Sequence, residues 1–249
     1  MALKGVLFDL GGTILRYSPR GKEWEDMEKI GALGMYNNLR AQNYHLPPES
    51  QALDIAWNYI RTLWKVLDTY DVKDLKLENQ LSLLVAEWGV ANVPSEVVSA
   101  MALAYMDAIQ AHVTIMDGVE HALQTLHDHG IRIGLISNTI WPGLSHQSDL
   151  DRFGLTHYFE HLIFSADVEL WKPHREIFEM GLAALDLKPE EAAFVGDSLY
   201  FDVWGAQQAG LRGVWIEQPH VWLPNGIEVA PDTTIRGQFE LLEALEPWR

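Results

Sequence analysis

The chain has 249 residues, of which 48% are hydrophobic, enough for one large domain or for one domain carrying an insertion. Its 18 basic residues face 35 acidic ones for a formal net charge of −17, which removes the electrostatic case for nucleic acid or an anionic membrane as partner. There is no cysteine, so disulfides and thiolate metal sites are excluded. No uncharged apolar stretch approaches the ~18 residues of a membrane span, and Asp9 ends the first hydrophobic run too early for a signal peptide. These features lead us to expect a cytoplasmic protein.

Residues 3–8 are almost uninterruptedly apolar and read as a fully buried strand. The strand delivers Asp9, Gly11, Gly12 and Thr13 in quick succession. On its own this segment is equally an ordinary Gly-Gly turn and a ligand loop. Residues 17–21 (Tyr-Ser-Pro-Arg-Gly) look like a linker. From about Trp24 to His112 the pattern is helical. Leu53, Trp57, Ile60 and Trp64 form one apolar stripe, and Leu77, Leu81, Leu84, Val85 and Trp88 form another. Pro94 opens a further helix carrying Val97, Met101, Ala104 and Tyr105. The texture then alternates. Asp117-Gly118-Val119-Glu120 predicts a capping box, and Gly130 suits the end of that helix. Strands are expected at 131–136, near 162–164, at 192–195 and at 213–216. Helices are expected between them, from about His174 to Leu185 and from Trp204 to Ala209. The last thirty residues, with Pro219, Pro224 and Pro231, are poorly patterned until a helix near Phe239. Strands alternating with helices imply a parallel α/β sheet.

The informative regularity is where polar residues fall. Three apolar strands finish in polar motifs: Asp9 with Thr13, Ser137 with Asn138, and Gly196 with Asp197. Lys172 sits in the loop after the third strand. Parallel strands present their C-terminal ends on one edge, so these groups converge there. Carboxylates suit a hard cation, and a lysine with hydroxyls suits a phosphoryl group.

With these four motifs in this order, the chain resembles the haloacid dehalogenase superfamily of hydrolases, in its phosphatase-like branch. The resemblance runs from Leu3 to about Ile216. It implies a Rossmann-like parallel core (1–16 and 114–249) with an inserted all-helical cap (17–113), whose side chains would set specificity. It implies Asp9 as nucleophile, forming an aspartyl-phosphate, and Lys172 as the neutraliser of nucleophile and phosphoryl charge. Thr13, Ser137, Asn138 and Lys172 would bind substrate. Asp9, the backbone carbonyl of Gly11, Asp197 and Asp202 would hold Mg²⁺, the last two in the spacing G-D-x-x-x-x-D, with Asp202 supporting the metal shell or orienting the lysine. The substrate would be a small phosphorylated metabolite, and the protein a monomer or homodimer.

One departure stands out. Relatives usually carry D-x-D-G-T, the second Asp being the general acid/base; here that position is Gly11. Loss of such a group typically slows turnover ~10²–10⁴-fold. Two alternatives follow: a weak or inactive relative that binds a phosphate ligand or a protein, and a 2-haloacid dehalogenase-like hydrolase, with Arg40 as a conceivable cap arginine. Lys65, Lys73 and Lys76 do not stand out as the Schiff-base lysine of a phosphonate hydrolase. His121, His127, His129, His157 and His161 read as surface residues.

Overall fold

A computed structural model describes residues 2–18, 24–67 and 75–248, with the side chains of 24 and 64–67 excepted. Residues 19–21 of the expected linker, Lys73, and the side chains of Trp64 and Lys65 therefore lie outside the described residues. The chain divides into two compact units. One comprises Tyr17–Thr114 with Ile140–Ser145; the other holds the remainder.

The α/β unit is built on a six-stranded sheet of order β5-β4-β1-β6-β7-β8. Its strands are β1 (Gly5–Phe8), β4 (Arg132–Ser137), β5 (His161–Phe164), β6 (Ala192–Gly196), β7 (Arg212–Ile216) and β8 (Thr233–Ile235). All five neighbouring pairs run parallel. Every residue of β1 is buried, as expected of a central parallel strand covered on both faces. Two-residue strands, β2 (Leu15–Arg16) and β3 (Thr114–Ile115), stand where the chain passes between units. Leu7, Ile136, Phe194, Ile177, Phe178 and Leu182 share one core cluster, in which α8 (Arg175–Ala184) and α9 (Gly205–Gln208) cover the sheet. Elsewhere, α5 (Val119–Asp128) packs on β4 and α10 (Leu241–Leu245) on α5 and β8.

The structure differs from the sequence reading in three informative places. The N-cap of α5 is Gly118 and not Asp117: it stands at φ 87° and has no side chain with which to cap. The chain there turns through the left-handed region, which glycine tolerates. The stretch beginning at Leu199 is a π-helix (Leu199–Trp204) before it becomes α9. And β8 emerges from the unpatterned tail, three residues recruited as an edge strand by pairing with β7.

The helical unit contains α1 (Trp24–Ala41), α2 (Glu49–Leu67), α3 (Leu77–Glu87) and α4 (Ser95–Gln110). Helices α1 and α4 approach closely because Gly31 and Gly34 face α4: a Cβ there would run into Tyr105 and Ile109, or into the Ala104 carbonyl and Ala108. Trp88 donates Nε1–H to the Ala52 carbonyl at 3.0 Å, linking α3 to α2. The buried hydroxyl of Tyr105 bonds Glu28, and burial followed by that carboxylate holds its pKa well above the ordinary value. Segment Ile140–Ser145, which the sequence assigned to the α/β core, groups here instead. Trp141 explains it: the ring packs edge-on against Tyr17 at 6.0 Å and Tyr105 at 6.2 Å. Helix α6 (Gly143–Arg152) then carries the chain onward.

Candidate active site

The loop after β1 is tightly wound. The Leu10 carbonyl accepts from the N–H groups of Thr13, Ile14 and Leu15 at 3.3, 2.8 and 2.9 Å, and Gly12 N–H returns to the Leu15 carbonyl at 2.8 Å. This winding requires Gly12 at φ 80°. A Cβ at Gly12 would also collide with Asp197 Oδ2, so the backbone lies directly against that carboxylate. Asp9 is anchored by its N–H to the Val195 carbonyl of β6 at 2.9 Å and is only 7% exposed. Gly11 is exposed and offers no side chain.

Lys172 is the electrostatic centre. Its Nζ donates to Asp9 Oδ1 at 2.7 Å and to Asp202 Oδ1 at 2.6 Å, and lies 5.0 Å from the Phe194 ring centroid. The residue is 2% exposed. Burial works against the ammonium, but Asp202 and Asp9 outweigh it, so Lys172 stays charged above its ordinary pKa. Asp202 Oδ2 accepts from Ser198 N–H at 2.9 Å, so both its oxygens are engaged. Asp9 Oδ2 takes no protein donor among the described residues.

Asp9, Asp197 and Asp202 each bring a carboxylate oxygen within 4.8 Å of the others. Burial, then Asp9 and Asp202, push Asp197 well above the usual carboxylate range. Burial likewise raises Asp202 to about 6, opposed by Lys172 and reinforced by Asp9. Three crowded carboxylates against one lysine leave a local negative excess that a cation would relieve. All-oxygen, anionic donors fit Mg²⁺ in particular. Asp9, Asp197 and the Gly11 carbonyl are the candidate holders; Asp202 is committed to Lys172 and Ser198.

The second strand end is organised around Asn138. Its side chain brackets the backbone of Lys172: Nδ2–H donates to the Lys172 carbonyl at 2.9 Å, and Oδ1 accepts from Lys172 N–H at 2.8 Å. Asn138, expected to bind substrate, therefore holds the lysine loop. Below it, Ser165 Oγ accepts from Thr139 N–H at 2.7 Å and donates to the Thr139 carbonyl at 2.8 Å. Thr139 Oγ1 lies 2.7 Å from His146 Nε2. Burial lowers His146 to about 3, so it is neutral at physiological pH.

Asp9, Lys172, Asp197 and Asp202 are thus brought together, with Gly12 against them. Ser137 ends β4 and is buried. Thr13, expected at the phosphoryl group, is fully buried, and its hydroxyl has no partner among the described residues. What Thr13 contributes is its carbonyl, which accepts from Gln238 Nε2–H at 2.9 Å. Arg40 is exposed at the end of α1, as are His121, His127, His129, His157 and His161, and Lys76 is the exposed N-cap of α3. The sequence reading missed Thr139, His146, Ser165, Ser198 and Gln238. Ser165 could have been found by the rule that located the others, since it follows β5 directly. Gln238 carries no local signal; only tertiary contact brings it to the loop.

The family model of haloacid dehalogenase-like hydrolases matches residues 3–210. A glyceraldehyde 3-phosphate phosphatase of Pyrococcus furiosus is 31% identical, over 98% of this chain and 93% of that protein. A phosphoserine phosphatase of Thermus thermophilus is 37% identical, over 98% of this chain and 100% of that one. Among solved structures, a HAD phosphatase of Thermococcus onnurineus aligns with a TM-score of 0.63 at 26% identity, covering 98% of each chain.

Proposed function

The chain belongs to the haloacid dehalogenase-like hydrolases, and we propose that it is a Mg²⁺-dependent phosphohydrolase of a small phosphorylated metabolite, acting through Asp9. The observation that carries this reading is the buried Lys172 ammonium joining Asp9 to Asp202, with the Asp197 carboxylate alongside. The names of the Pyrococcus and Thermus relatives support the substrate class.

Asp9 Oδ2 attacks phosphorus, and the ester P–O bond breaks with its electron pair leaving on the alcohol oxygen. Lys172 holds Asp9 by Oδ1, leaving Oδ2 to react, and its charge offsets that of the incoming phosphoryl group. Asp202 and Asn138 keep the lysine aimed, the first through Nζ and the second through the backbone. Ser137 supplies a hydroxyl to the phosphoryl oxygens. Water then attacks the phosphorus of the aspartyl-phosphate, the bond to Asp9 breaks, and phosphate leaves with the carboxylate restored. Mg²⁺, held by Asp9, Asp197 and the Gly11 carbonyl, supplies charge neutralisation when bound. Gly11 offers no proton to the departing oxygen, so esters of acidic alcohols and phenols turn over faster than alkyl esters.

The test is hydrolysis of an aryl phosphate with and without Mg²⁺. Asp9→Asn is expected to abolish turnover; wild-type rates in that variant would remove Asp9 from the chemistry. Halide release from a 2-haloacid without Mg²⁺ would instead establish the dehalogenase alternative.

A further inference from the structure

The last element of the fold reaches back to the loop that carries Asp9. Gln238, in a short 3₁₀ turn (Gln238–Glu240) ahead of α10, is 2% exposed. Its Nε2–H donates to the Thr13 carbonyl at 2.9 Å across 225 residues of sequence. That carbonyl belongs to a loop held by several backbone bonds: three N–H groups converge on Leu10, and the next carbonyl, Ile14, accepts from Met116 N–H at 3.0 Å. Gln238 and Met116 thus bond successive carbonyls of the loop.

The turn holding Gln238 is itself braced. Arg236 N–H donates to Glu240 Oε2 at 2.8 Å, and Glu240 N–H to the Gly237 carbonyl at 3.1 Å. Leu241 and Leu245 are fully buried behind it. Phe239, beside Gln238, lies against Gly118, where even a Cβ would be in tight contact with its backbone and ring. The Gln238 side chain is thus held in place, and its amide is the group that meets the Thr13 carbonyl. Among the described residues two polar atoms remain unpartnered there, Gln238 Oε1 and Thr13 Oγ1, both buried. Leaving a buried acceptor unpaired is unfavourable. The position keeps an amide despite that cost, and what the amide does is fix the Thr13 carbonyl.

We propose that Gln238 is a positioning residue for the nucleophile: it pins the Thr13 carbonyl, and through the wound loop sets where Asp9 and the Gly11 carbonyl stand. This rests on the phosphohydrolase reading for its catalytic consequence, though not for the pinning. Displacement of a reacting group by about 1 Å can cost ~10²-fold in rate. Loss of one restraint on an otherwise bonded loop is expected to cost about tenfold in kcat, with KM within about twofold.

The experiment pairs kinetics on an aryl phosphate with amide hydrogen exchange of the loop. Gln238→Met keeps the volume and removes the donor; Gln238→Leu also removes the donor with a branched apolar chain, and serves should the first fail to fold. The expected result is faster exchange at Gly12, Thr13 and Ile14, with β4 and β6 unchanged, and a fall in kcat without a matching rise in KM. Unchanged loop exchange and unchanged kcat in a folded variant would overturn the proposal. A wild-type protein without phosphatase activity, together with faster loop exchange in the variant, would leave the pinning intact and remove the phosphohydrolase reading instead.

Discussion

The carboxylate cluster makes a quantitative prediction about the metal-free protein. Oxygens of Asp9, Asp197 and Asp202 lie within 4.8 Å of one another, so each charged pair repels by about 3 kcal/mol at an effective dielectric constant of ~20. Burial first, opposed by Lys172 and reinforced by Asp9, raises Asp202 from 3.8 to about 6, which is about 3 kcal/mol at 1.36 kcal/mol per pKa unit. A carboxyl whose pKa is higher folded than unfolded binds more protons in the native state, so its contribution is present below the unfolded value and lost as pH rises through the folded one. Between pH 3.8 and about 6 for Asp202, and higher for Asp197, metal-free protein should therefore lose stability as these groups ionise. Replacing Asp197 by Asn removes one charge from the cluster. At pH 7.5 in EDTA, Asp197→Asn is expected to be more stable than wild type by ~1–3 kcal/mol, or roughly 2–6 °C in Tm for a chain of this size. Mg²⁺ should reverse the order, stabilising wild type by mass action and leaving the variant nearly unaffected. Differential scanning calorimetry across pH, with EDTA and with Mg²⁺, measures both effects. A metal-free Asp197→Asn that melts below wild type at pH 7.5, or that gains as much from Mg²⁺, would refute the reasoning.

Two further outcomes are expected. Gly11 is exposed, so Gly11→Asp should raise turnover of alkyl phosphates by at least tenfold while changing aryl phosphates little, since only the former need a proton; equal effects on both ester classes would count against the missing-acid explanation. His146 is held neutral down to about pH 3, so the native state takes up its proton less readily than the unfolded chain and stability is lost as pH falls below 6.5. His146→Gln should flatten the decline in Tm between pH 6.5 and 4 relative to wild type, and an unchanged slope would show that some other group dominates acid unfolding.

Much of the site was legible because its chemistry is written at strand ends. An apolar run identifies a buried parallel strand, and the polar residues that follow must stand on the common C-terminal edge; that placed Asp9, Asn138 and Asp197 in one region before any coordinate. The roles within the region were less legible. Asn138 is bonded to the Lys172 backbone and the Thr13 hydroxyl is buried, because hydrogen-bond partners are chosen by three-dimensional approach rather than by spacing; Asp202 meets the Lys172 ammonium, one of the two roles expected of it.

The sequence by itself determined the layered α/β class, the helical insertion and the residues around Asp9 that carry charge to the sheet edge. These follow from hydrophobic period and from turn chemistry, which are local. Only the tertiary structure decided that Gly12 must be bare against Asp197, that Ile140–Ser145 joins the helical unit through Trp141, and that β8 forms from an unpatterned tail. It alone decided that Gln238 meets Thr13. Each of these depends on a neighbour brought in from far along the chain, and no local pattern encodes that neighbour's arrival.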